Sequence, residues 1–142
     1  MARKISRLPA DIGGNIAIEF ALVAPVFILM IVGLADYGLA TRERAVLDAA
    51  ARAGLQALLF NSANIGGAEA AATAMAPAAV VTTSIVCTCD SGVGVSCSGT
   101  CPTGLPRRSG RVDVSHDHTL LLNWPGFPDP VVLTATAAGR LR

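Results

Sequence analysis

From residue 16 to residue 35 the chain carries a single charge, Glu19, in twenty positions. At about 1.5 Å per residue, a helix of that length spans roughly 30 Å, the thickness of a bilayer's hydrocarbon core. An apolar run of that length with one charge predicts a membrane-spanning helix. Asp36-Tyr37-Gly38 marks its outer boundary, with Tyr37 at headgroup level. Beyond it the pattern becomes amphipathic. Arg44, Asp48, Arg52 and Gln56 recur every four residues as a polar stripe containing two opposite-charge pairs. Val46, Leu47, Ala50, Ala53, Gly54, Ala57 and Leu58 are read as the opposite face. Its small residues permit close approach to another element, either this chain's own sheet or a helix of a neighbouring subunit.

Asn61 to Gly67 break this helix, and Ala68–Ala76 form a short Ala-rich helix stopped by Pro77. From Val80 the period shortens towards two. Residues 79–89 are rich in β-branched types, Arg111–Leu122 alternates, and Val131–Ala138 is a third strand. In the alternating segment Val112, Val114, Leu120 and Leu122 share one face. The link Trp124–Pro130 is a turn-rich loop stiffened by three prolines. The expected fold class is α+β. A long N-terminal helix, membrane-spanning in its first half, packs against a small antiparallel sheet.

Composition alters this picture in two respects. With 142 residues and a large apolar share committed to the span, the remainder is small for an independent core and calls for a staple or a long helix to pack on. A net charge of +1 with 4% aromatic residues and no basic run gives nucleic-acid binding no support. The charges that matter are local. Arg3, Lys4 and Arg7 precede the span against one acid, Asp11, which predicts a cytoplasmic N-terminus and an extracytoplasmic remainder. Arg42, Arg44 and Arg52 follow the span but are interleaved with Asp36, Glu43 and Asp48.

A basic segment before an apolar run also describes a secretory signal peptide. Here the run exceeds the usual length, and the small-residue site Gly38-Leu39-Ala40 falls in sequence that reads as continuing helix. Cleavage before the span is the alternative. Gly14 is followed by Asn15 and, five residues after the glycine, by Glu19, which resembles a type IV prepilin processing site. Cutting after Gly14 would leave Asn15 with a free α-amino group at the membrane. An ammonium there and the Glu19 carboxylate offset each other when paired, within one helix or between packed subunits. In a competing reading Glu19 only snorkels to the headgroups. Pro25 frees a carbonyl in mid-span and is expected to kink or loosen the helix, which membrane helices tolerate.

Residues 14–27, Gly-Asn-Ile-Ala-Ile-Glu-Phe-Ala-Leu-Val-Ala-Pro-Val-Phe, resemble the N-terminus of TadE-like minor pilins of bacterial tight-adherence (Flp-type) pilus systems. The resemblance continues through Gly33–Gly38 and the arginine-punctuated, small-residue helix Arg44–Gly54, covering roughly residues 13–58. It implies processing by a prepilin peptidase, anchoring in the bilayer of the bacterial inner membrane, and a supporting role in pilus biogenesis. Gly14 matches the cleavage glycine and Glu19 the assembly acid. The implied partners are other pilins and the inner-membrane assembly platform. Asn15 and Phe20 depart from the general type IV pattern.

All four cysteines, Cys87, Cys89, Cys97 and Cys101, fall within fifteen residues. In an oxidising compartment two disulfides are expected to staple this glycine-rich loop. Three connectivities are possible, and the nested one, Cys87–Cys101 with Cys89–Cys97, suits a hairpin. Zinc held by four thiolates is the rival, but the spacing lacks the usual two-residue knuckle. His116 and His118 share a strand face with no third ligand assignable, so they read as surface or sheet-end residues. No nucleophile elbow or phosphate loop is present, and neither an enzyme nor a bound metal or cofactor is expected.

The organisation expected is a basic leader over 1–14, a transmembrane helix over 15–36, a helical extension and short helix over 37–78, and an extracytoplasmic β-rich region over 79–142. The Cys-rich loop, residues 87–101, belongs to the last region. A membrane-anchored, disulfide-stapled binding module unrelated to a pilus is the alternative reading.

Overall fold

The structure, a computed structural model, describes residues 13–102, 104–123 and 125–141, so residues 1–12 of the basic leader lie outside the described residues. Helix α1 (Gly13–Phe60) is followed by α2 (Ile65–Met75) and strands β1 (Val80–Thr88), β2 (Gly94–Val95), β3 (Arg107–His118) and β4 (Val131–Arg140). The strands form one antiparallel sheet in the order β2-β1-β3-β4. The class is α+β, as the two periods predict. The chain divides into two compact units, one ending at Ala35 and the other comprising Asp36–Arg142.

In the first unit α1 runs helically through Pro25. Most of its described large apolar side chains, among them Ile18, Phe20, Leu22, Phe27, Ile31 and Leu34, are exposed. A helix apolar on every side has no polar face to turn to water. Among the described residues, α1 is the one helix long and apolar enough to cross a membrane.

In the second unit α1 lies on the sheet. Leu47, Ala50 and Ala51 are buried with Val112 and Val114 of β3, Ala135 of β4, and Ala72 and Ala76 at the end of α2. Leu58 packs with Ala68 and Leu141 in a smaller cluster. The helix therefore uses this chain's own sheet. Small residues set the spacing. A Cβ on Gly54 would stand 3.0 Å from the Ala68 carbonyl oxygen and 3.1 Å from Val112 Cγ1. A Cβ on Gly110 of β3 would overlap Leu58 Cδ2 of α1. The face is rotated from the one expected, because Ala51 and Leu55 join it and Val46 is exposed. A stripe stepped every four residues drifts by about 40° per step around a helix of 3.6 residues per turn, so the side opposite it is not a fixed line.

Helix α2 starts at Ile65, three residues before the expected Ala68. Asn64 supplies the reason: its side chain accepts from the Gly67 amide at 2.9 Å, capping the first turn so that Gly66 and Gly67 are helical. Strand β3 begins at Arg107 because its register with β1 extends to Thr88↔Arg107, where Arg107 also pairs with Asp90. It ends at His118, so Leu120 and Leu122 belong to the following loop and do not continue the Val112–Val114 face. The inward face carries Val112, Val114 and Ala135, and the outward face mixes Arg111, Asp113 and Thr136 with the exposed Val80, Val86 and Val132. There Arg111 Nε donates to Asp113 Oδ2 at 2.8 Å, and Thr136, opposite Asp113 in register, donates to Oδ1 at 2.6 Å. The Arg111 bond and then the Thr136 bond hold the Asp113 carboxyl below the ordinary carboxylate range.

Candidate functional site

Two groups of residues carry the chemistry expected from the sequence: the start of α1 and the cysteine loop. Gly14 and Asn15 lie in the first turn of α1, and Glu19 is one turn beyond Asn15 on the same helix. The bond after Gly14 therefore joins two helical residues at the entrance to the apolar segment.

The four cysteines form two disulfides, Cys87–Cys97 and Cys89–Cys101. The pairing overlaps, which corrects the nested arrangement. The hairpin register is the cause. Cys87 stands opposite Val95, and the turn closes with the Cys89 amide donating to the Val93 carbonyl at 2.9 Å. Each residue forward along the returning chain corresponds to one residue back along β1, so Cys97 arrives on the far side of Cys87 from Cys89. Cys89 is left to Cys101, where an isolated bridge with Gly104 turns the chain. Cys87 and Cys89 point to the inward face and are buried. With all four sulfurs oxidised, no thiolate remains in this loop to ligate zinc.

A further set of polar groups lies where the amphipathic half of α1 begins. Asp36 is 5% exposed, and its Oδ1 accepts from the Leu121 amide at 2.7 Å. Seven residues on, Glu43 Oε2 accepts from His118 Nδ1 at 2.8 Å. His118 is also 5% exposed, which corrects its reading as a surface histidine while leaving it at the end of its strand. Its Nε2 has no hydrogen-bond partner among the described residues. His116 is half-buried and donates from Nδ1 to the Ala78 carbonyl at 3.2 Å. The two histidines thus serve different neighbours on one face. Among the described residues, no group of three or more His, Cys, Asp and Glu is arranged to hold a metal ion.

These ties were invisible in the sequence. Asp36 and Leu121 are 85 positions apart, and Glu43 and His118 are 75 apart. The available signal was Glu43 itself, a carboxylate on the helix edge next to the apolar stripe. An open groove of about 340 Å³ beside it is lined by Leu39, Arg42, Glu43, Val46, Met75 and His116 among others.

No curated protein and no solved structure matches the chain. The family model described as TadE-like protein matches residues 14–56, so the stretch of α1 that carries Gly14, Glu19, Asp36 and Glu43 is a TadE-like segment.

Proposed function

We propose that this protein is a membrane-anchored minor pilin that takes part in assembling a tight-adherence type IV pilus. The observation that carries the reading is the TadE-like match from Gly14 to Gln56, lying on a helix whose first part is apolar and largely exposed. In this reading residues 15–36 span the inner membrane with the N-terminus cytoplasmic. The unit Asp36–Arg142 faces the periplasm or the cell exterior, where its disulfides are stable.

A prepilin peptidase cuts after Gly14, and the amine created on Asn15 pairs with Glu19 of the same or a neighbouring chain. Buried in lipid, either charge alone is costly, so the pair favours the register in which they meet. Other pilins and the inner-membrane platform are the partners. The role is structural and involves no catalysis.

Replacement of the chromosomal copy by Glu19→Leu and Glu19→Gln variants tests this. Both proteins should remain in the membrane fraction, while surface pili recovered by shearing fall at least tenfold for Glu19→Leu. Normal piliation with Glu19→Leu would reduce the helix to an anchor. That outcome would favour an exported binding module, a reading supported by the position of the whole disulfide-closed sheet outside the matched segment.

A further inference from the structure

We infer that the loop between β3 and β4, residues 119–130, is a second membrane contact. Its apolar side chains Leu121, Leu122 and Phe127 enter the headgroup region of the bilayer that the apolar part of α1 spans. The inference rests on the anchoring reading above.

Position is the first argument. The Leu121 amide is bonded to Asp36, and Asp36 is the residue that follows the apolar run ending at Ala35. Because Asp36 is buried and helical, the bond fixes the loop to one level of α1. The Glu43–His118 bond two turns further along holds the end of β3 from which the loop departs. The loop is thereby held beside Asp36, the first residue after the apolar run. Tyr37 stands exposed at that same level, as an interfacial aromatic does.

Chemistry is the second argument. From Thr119 to Pro128 the loop has no charged residue. Leu121 is 57% exposed and Phe127 68%, and Leu122 is exposed beside them. The loop is also closed on itself: the Leu120 amide donates to Asp129 Oδ1 at 3.3 Å, and Gly126 turns the chain with φ of +87° between two prolines. Its apolar side chains are thus presented outward on a loop tied across its base. An uncharged apolar tip next to a membrane exit fits the interface, where apolar groups gain burial and backbone groups still meet water. Leu105 provides a contrast. It is 90% exposed at the opposite end of β3, but Arg107 and Arg108 follow it.

The sole tryptophan, Trp124, falls within this loop, so fluorescence can test the proposal in the full chain. In a Trp124→Phe background the probe is moved to the tip with Phe127→Trp, or to the distal end with Leu105→Trp. Both are placed in phosphatidylcholine–phosphatidylglycerol nanodiscs, which leave both faces open to aqueous quencher. Co-elution with the discs tests anchoring independently, and its failure would remove the anchoring reading and this inference with it. For protein that co-elutes, the tip probe should be quenched by lipids brominated near the headgroup. It should also be at least threefold less accessible to iodide than the distal probe. Equal iodide access at the two positions overturns the inference. Shielding from iodide without quenching by brominated lipid also overturns it, since the loop would then contact protein. Leu121→Trp in the same Trp124→Phe background gives the same lipid-quenching readout should Phe127→Trp misfold.

Discussion

The imidazole of His118 is bonded through Nδ1 to the Glu43 carboxylate at 2.8 Å, joining the last residue of β3 to the helix beneath it. The histidine is buried and the carboxylate is partly exposed, so the bond has a dry end and a wet end. His118→Ala removes both the bond and the ring that fills this end of the interface. A loss of about 2–4 kcal/mol is expected from the cavity and the lost partner together. Glu43→Gln keeps the shape and an acceptor and should cost about 1 kcal/mol or less. Denaturant unfolding of the detergent-solubilised chain, followed by tryptophan emission, measures both. Equal effects would mean that the ring contributes no packing.

At Gly54 the helix touches α2 and β3 together, and the nearest atom to an added Cβ is a backbone oxygen at 3.0 Å. A carbonyl in a helix cannot swing aside as a side-chain terminus can. Gly54→Ala is therefore expected to destabilise by about 1–3 kcal/mol, although alanine is the better helix former. A second substitution, Ala72→Gly, removes the side chain 3.2 Å away and should restore part of the loss. Thermal unfolding of the single and double variants decides it. A rise in Tm for Gly54→Ala alone would contradict the close packing.

Much of the fold was legible because periodicity is a local property. The uncharged run after Glu19, the polar residues every four positions from Arg44 to Gln56, and the β-branched stretch at Val80 announce their elements without knowledge of the rest of the chain. What was not legible depends on partners remote in sequence. Strand β2 is two residues long and exists only because Cys87 and Thr88 of β1 offer it a ladder. His118 looks like any strand-end histidine until Glu43 is known to lie beside it. The cysteine pairing depended on a register that four cysteines and their spacing do not specify. Of the candidate site, the sequence announced Gly14 and Glu19, whereas Asp36 and Glu43 drew attention only as charges flanking the span.

The disulfides close loops with sequence separations of 10 and 12 residues around a segment with little core of its own. Peptide mapping of the oxidised protein should yield cross-linked peptides joining Cys87 to Cys97 and Cys89 to Cys101. Closing loops of this size contributes about 2–4 kcal/mol each by restricting the unfolded chain. Reduction should therefore lower Tm and expose the β1–β2 hairpin to protease before β3 and β4. Recovery of a Cys87–Cys101 peptide would contradict the overlapping pairing.

Asp113 gives a weak dependence on acid. Its carboxyl is held below the ordinary range by Arg111 and Thr136, so its contribution is fully present above the unfolded value, about 3.9. It disappears as pH falls through the lower folded value. Both members of the ion pair are substantially exposed, and screening keeps the effect small. Asp113→Asn should flatten the acid limb of a Tm–pH curve and alter Tm at neutral pH less than His118→Ala does. An equal or larger loss at neutral pH would contradict a surface role for the pair.

The central claim joins Gly14, Asn15 and Glu19 into one feature: a cut that creates the amine which the carboxylate then meets. N-terminal sequencing of the mature protein extracted from membranes tests it most directly. The expected result is a chain that begins at Asn15 and retains the whole apolar segment. A chain that begins at Thr41 would have lost that segment and contradicts the claim, as does one that keeps residues 1–14.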